Sequence, residues 1–157
     1  MLREPQRLRP IVVNNWEATE MAFDEARLVD LIDRAGALGA EVFLLDDGWF
    51  GTTYPRDDDT QGLGDWDPDP AKLPNGFDPL VHAAQSADIR FGTWVEPEMV
   101  NPRSDLFEAH PDWVVRDARN LASTANSSCW IRPSMRSPGS RSGCSSRSSA
   151  GTRGSAT

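Results

Sequence analysis

The sequence predicts an α/β fold built on parallel strands. Three observations carry that expectation. Short apolar runs alternate with stretches of helical periodicity in the order strand, helix, strand, helix, strand, a pattern that implies parallel pairing through right-handed crossovers. The strand segments are apolar on both faces, as in a sheet covered by helices. Each strand also runs out into polar or aromatic residues, and parallel α/β folds gather their functional groups at such carboxyl ends.

Residues 1–10 are polar and bounded by Pro10, a flexible lead-in. Ile11-Val12-Val13 suits a short buried strand that ends in Asn14-Asn15-Trp16. Asp24 is placed to cap a helix from about Glu25 to Leu38. Leu28, Leu31, Ile32, Ala35 and Leu38 recur at helical spacing, and Gly39 is placed to stop it. A second strand runs from Val42 to Asp46 and leads into Asp47-Gly48-Trp49. A long polar loop follows, from Gly51 to about Gly76. A second helix over Asp78–Ala87 puts Leu80, Ala83, Ala84 and Ala87 on one face. Ile89 to Val95 reads as the third strand and ends in Glu96-Pro97-Glu98. The three strand ends would share one rim. Carboxylates there can accept hydrogen bonds from hydroxyl groups, and indole faces can cover the C–H face of a sugar.

Composition bounds what such a rim could serve. The 157 residues suffice for one domain, the longest apolar runs are too short for a membrane span, and no apolar signal core follows the basic N-terminus, which points to the cytoplasm. All 24 acidic residues lie at or before Asp117, beside only 11 Lys and Arg. A body so acidic argues against nucleic acid as a partner, because phosphate contacts need concentrated positive charge, and the basic Ser/Arg tail as a nucleic-acid arm is the lesser reading. From Leu121 onward there is no acid at all, five Arg and twelve Ser, a low-complexity tail expected to be disordered. Cys129 and Cys144 both lie in it, so they say nothing of the body's redox compartment.

The blocks R-P-I-V-V-N-N-W-E-A-T, V-F-L-L-D-D-G-W-F-G, D-D-D-T-Q-G-L-G-D-W, L-P-N-G-F, F-G-T-W-V-E-P-E-M-V-N-P-R-S-D-L and H-P-D-W-V follow one another with natural spacing. Together, over residues 9–120, they resemble the catalytic barrel of microbial α-galactosidases of glycoside hydrolase family 36. The resemblance implies a (β/α)8 barrel, of which residues 11–120 would supply the first three β/α units. It further implies hydrolysis of terminal non-reducing α-D-galactosides with retention, by a nucleophile and an acid/base about 5–5.5 Å apart. In the family the nucleophile stands in a Lys-Trp-Asp motif on the fourth strand and the acid/base Asp on the sixth. No Lys-Trp-Asp occurs here, so no catalytic residue is assigned and the chain by itself is expected to be inactive. What carries over is substrate binding: the pair Asp46 and Asp47 on galactose hydroxyls, with Trp94 and Trp16 as pocket walls. The implied partners are α-galactoside oligosaccharides. No cofactor or metal is called for, and the parent's assembly is left open, a homo-oligomer included.

The tail departs from this pattern. Where the family continues with a block resembling Arg-x-Gln-Leu-Val-Leu-Asp, the chain reads T-A-N-S-S-C-W-I-R-P. The third base of the Cys129 codon followed by the first two of Trp130 always spells Leu. The third base of Trp130 followed by the first two of Ile131 always spells Asp. The neighbouring codons permit the rest of the block, so residues 121–157 read as an out-of-frame translation after a one-base insertion or deletion near Ala122–Asn126.

Other residues support blander readings. Asp46-Asp47 alone could cap a helix or line a solvated turn. Pro97 separates Glu96 from Glu98, which suits structural support better than a catalytic pair. Asp57-Asp58-Asp59 lacks the alternation, glycine and terminal Glu of a calcium loop. His82 and His110 have no companions at metal-ligand spacing. Two rivals to the enzyme-derived reading are a non-catalytic galactose-binding module and a nonfunctional truncated product. A related barrel acting on α-N-acetylgalactosaminides or transferring galactose among raffinose sugars is a third.

Overall fold

The computed structural model describes residues 9–115 and the backbone of Cys129–Trp130. Most of the expected lead-in (1–8) and of the tail (116–128 and 131–157) lies outside the described residues.

Strand β1 spans Val12–Asn14, β2 Val42–Leu45 and β3 Arg90–Thr93. They form one parallel sheet in the order β1-β2-β3, with Val13 opposite Phe43 and Phe43 opposite Phe91. The α/β architecture with parallel strands is therefore as the alternation predicts. β2 is the central strand, and Phe43 and Leu45 on it are completely buried. β1 is not the buried strand that its apolar composition predicts. It starts one residue later and is an edge, with Ile11 60 % and Val12 50 % exposed. Burial is set by what lies alongside a strand, and among the described residues β1 has a neighbour on one side only.

Helix α1 (Trp16–Thr19) is a single turn just after β1. Helix α2 (Glu25–Ala37) begins where Asp24 caps it, the Asp24 carboxylate accepting a hydrogen bond from Arg27 N. Its apolar stripe buries Leu28, Ile32 and Ala35. Leu38 is the C-cap and 86 % exposed, so it does not continue the stripe. Helix α3 (Asp78–Ser86) buries Leu80, Ala83 and Ala84 and packs against α2. Their approach is close enough that a Cβ on Gly36 would fall 2.7 Å from Ala87 Cβ. Two further elements follow the sheet: strand β4 (Met99–Val100) and helix α4 (Asp105–Ala109), whose N-terminus Ser104 caps through Phe107 N. β4 pairs antiparallel with β5 (Cys129–Trp130). The tail expected to be disordered thus contributes a two-residue strand, because β4 offers it an open edge.

The long segment between β2 and α3 is polar in sequence yet firmly packed. Phe50, Leu63 and Leu73 join the core, and Trp49, Phe50, Trp66 and Phe77 form a continuous aromatic cluster with ring centroids 4.6–6.1 Å apart. This cluster floors the carboxyl ends of the strands.

Candidate functional site: the strand-end rim

The three strand ends are cross-linked. Asn14, the last residue of β1, donates from Nδ2 to Asp46 Oδ2 at 2.5 Å, and its own Oδ1 accepts from Trp16 N. Asn15 is 1 % exposed; its Oδ1 accepts from Asp46 N at 2.7 Å, and its Nδ2 donates to Thr19 Oγ1 in α1. β1 and α1 therefore fix both the backbone and the carboxylate of Asp46. At the third strand end, Trp94 N donates to Leu45 O, and Trp49 Nε1 donates to Trp94 O. The Trp94 ring lies 6.1 Å from Trp66, edge to face.

The adjacent carboxylates differ sharply. Asp46 is half-buried, held by neutral donors: Asn14 and Asp47 N. Asp47 is buried, and both its oxygens face Arg56, which donates from Nε to Oδ1 and Oδ2 at 3.1 Å each and from Nη2 to Oδ2 at 2.8 Å. Asp47 Oδ1 also accepts from Gly48 N at 2.7 Å. Gly48 has φ +97°, and a Cβ there would lie 2.9 Å from the Met21 backbone, so this turn takes glycine only.

Arg56 and its support escape sequence reasoning. The guanidinium also reaches Gln61 O, Asn101 Oδ1 and Asp59 Oδ1. Lys72 Nζ donates to Gly48 O and Arg56 O and pairs with Asp57. One signal was available: Arg56 and Lys72 are the only cations among the acids of the 51–76 segment. Lone cations in acidic surroundings become internal ion-pair centres when the segment packs.

Trp16 lines a groove of about 370 Å3 together with Glu20, Met21, Ala22 and Asp57–Asp59, a size within the small-ligand range. Asp46, Asp47 and Trp94 are not among that groove's lining residues; Asp46 and Asp47 directly follow β2, Trp94 directly follows β3, and the Trp16 backbone is linked to Asp46 through Asn14. Asp57, Asp58 and Asp59 are exposed. The hydroxyl and N–H of Thr60 hold the Asp58 carboxyl below its usual range. Glu96 is half-buried; burial, then the charges of Glu98 and Asp47, push its carboxyl up. Glu98 is exposed. Among the described residues no group of three or more His, Cys, Asp or Glu is arranged to hold a metal ion, and no helix is long and apolar enough to cross a membrane.

A family model for melibiases matches residues 3–131. The chain is 48 % identical over 114 residues to probable alpha-galactosidase G of Emericella nidulans, covering 68 % of this chain and 16 % of that protein. It is 51 % identical over 107 residues to alpha-galactosidase AgaA of Geobacillus stearothermophilus, covering 68 % and 14 %. The chain thus spans about one-sixth of the length of these relatives. The crystal structure of AgaA, described as a family 36 (GH36) α-galactosidase, superposes with a TM-score of 0.74 at 44 % identity, over 82 % of this chain and 18 % of that one. A variant of AgaA in complex with raffinose gives a TM-score of 0.73 at 43 % identity, over 82 % and 18 %.

Proposed function

The chain belongs to the melibiase family, with family 36 α-galactosidases as its relatives, and from that premise we propose that its strand-end rim is part of a galactose-binding site. In this reading residues 11–120 are the first three β/α units of a (β/α)8 barrel. Asp46 and Asp47 accept hydrogen bonds from galactose hydroxyls, Trp94 covers the sugar's apolar face, and Trp16 flanks the approach. The ligands are terminal α-D-galactosides of the raffinose type. The observation that carries the reading is the fixed Asp46 carboxylate. It stands at the tip of the central strand, cross-linked to β1, with acceptor capacity left over and an indole-walled floor beside it.

The parent activity is hydrolysis with retention, which needs a nucleophile and an acid/base. The sequence contains no Lys-Trp-Asp, the nucleophile motif of the family, which supports a binding role for the rim. The 157-residue chain therefore binds galactosides without cleaving them. Calorimetric titration with galactose, paired with an assay on a chromogenic α-galactoside, tests both halves. Saturable binding without turnover is expected. Absence of binding would remove the rim reading, and turnover by the purified chain would remove the assignment of a non-catalytic role.

A second reading is favoured by the abrupt change of composition after Asn120: a translation product whose frame is displaced, with no function of its own. Sequencing of the coding DNA past codon 121 decides it, since the displaced frame must continue past the Leu-Asp that the Cys129–Ile131 codons force to a Lys-Trp-Asp string.

A further inference from the structure

We propose that Arg56 is a positioning residue for Asp47, fixing the orientation of that carboxylate at the tip of β2. The use of this geometry in sugar binding rests on the galactoside reading above; the positioning itself does not.

The geometry singles out Arg56. Its side chain is 5 % exposed, and that of Asp47 is 10 % exposed. Nε and Nη2 together engage both carboxylate oxygens, the forked arrangement that fixes a carboxylate's plane as well as its place. The guanidinium is itself immobilised. Nη1 is held by Gln61 O and Asn101 Oδ1, Nη2 also reaches Asp59 Oδ1, Arg56 N donates to Phe50 O, and Lys72 Nζ holds Arg56 O. Asn101 is completely buried and in turn accepts from Leu63 N and donates to Asp59 O. Three segments therefore converge on one cation: the end of β2, the 51–65 loop, and the chain after β4. Two adjacent carboxylates repel each other, and among the described residues the Asp46 carboxylate has only neutral partners. A cation on Asp47 offsets one of the two charges and leaves Asp46 the freer acceptor. A lysine could supply the charge but not the fork, so the arrangement requires arginine.

The reporter is the Gly48 amide, which donates to Asp47 Oδ1. In the full chain Arg56→Lys is expected to displace the Gly48 amide resonance and to speed its hydrogen exchange about tenfold or more, with amides near Val42 at the far end of β2 unmoved. Galactose affinity should fall about tenfold, and this fall should vanish in an Asp47→Asn background, where the fork has no carboxylate to hold. A purely structural role for Arg56 would lower affinity equally in both backgrounds. An unmoved Gly48 amide, or an undiminished effect beside Asp47→Asn, would overturn the proposal. The unmodified chain gives a measurement that needs no folded R56K variant: a slowly exchanging Arg56 Nε–H signal that is lost in Asp47→Asn. A rapidly exchanging Nε–H would likewise overturn it. If the unmodified chain takes up no galactose, the binding reading fails alone, and the Gly48 and Nε–H signals still decide the role of Arg56.

Discussion

Asn15 shows how much of the rim depends on single polar atoms. Its buried amide holds the Asp46 backbone at one end and Thr19 at the other. Asn15→Ala would leave the Asp46 N–H without its acceptor, a loss of about 1–3 kcal/mol, while the Thr19 hydroxyl would keep its backbone partners Asn15 O and Glu20 O. Chemical denaturation would register it, together with weaker galactose binding if Asp46 contacts the sugar. Asp65 supplies the pH-dependent case. It accepts from Asp105 N and Leu106 N at the start of α4, yet burial pushes its carboxyl up and those hydrogen bonds draw it only partly back. The folded chain thus keeps the Asp65 proton at pH values where the unfolded chain, with an ordinary value near ~3.9, has released it. The protonated group's contribution to stability is full below the unfolded value and is lost as pH rises through the folded one. The stability of Asp65→Asn relative to the unmodified chain should therefore increase with pH across that window, as measured by urea titrations at several pH values. The carboxylates of the rim were legible in the sequence as a pair at a strand tip. Their inequality was not, because it depends on Arg56, nine residues on in a loop without periodicity.

The elements with strong periodic signals stand within one or two residues of their expected ends. For α2 the reason is local: Asp24 caps it through Arg27 N, and Gly39, at φ +85°, follows its end. Asp24→Ala should destabilise the chain by about 1 kcal/mol, visible as a lower denaturation midpoint with unchanged slope. In β2 the decisive contact is Phe43, completely buried between the helices and the flanking strands. Phe43→Ala should cost about 3–5 kcal/mol, enough to unfold a small sheet with two open edges. Elements too short for a period were invisible: α1, α4 and β4 span four, five and two residues. They are set by caps and tertiary contacts, such as Ser104 at α4. The same holds for the 51–76 segment. Its polarity reads as a solvated loop, yet it folds inward around Arg56, Lys72 and the Trp66 ring, which sequence patterning does not encode.

At the scale of the molecule, the sheet is stable on its faces and open at its sides. Among the described residues β1 and β3 each pair along one edge only, and Ile11, Val12 and Val95 are about half exposed or more. An apolar strand edge without a partner is a template for another chain. The acidic body opposes association by mutual repulsion, but that repulsion is screened over about 8 Å at physiological ionic strength, while edge pairing acts in contact. Self-association should therefore grow with salt as well as with concentration. Sedimentation velocity at low and high ionic strength would show a monomer giving way to larger species. Val12→Lys, which adds a charge to the exposed face of β1 without touching the rim, should restore the monomer at both. Salt-independent monodispersity of the unmodified chain would mean that the β1 edge is already covered, and the three-unit reading of the fold would then need a partner strand to explain it.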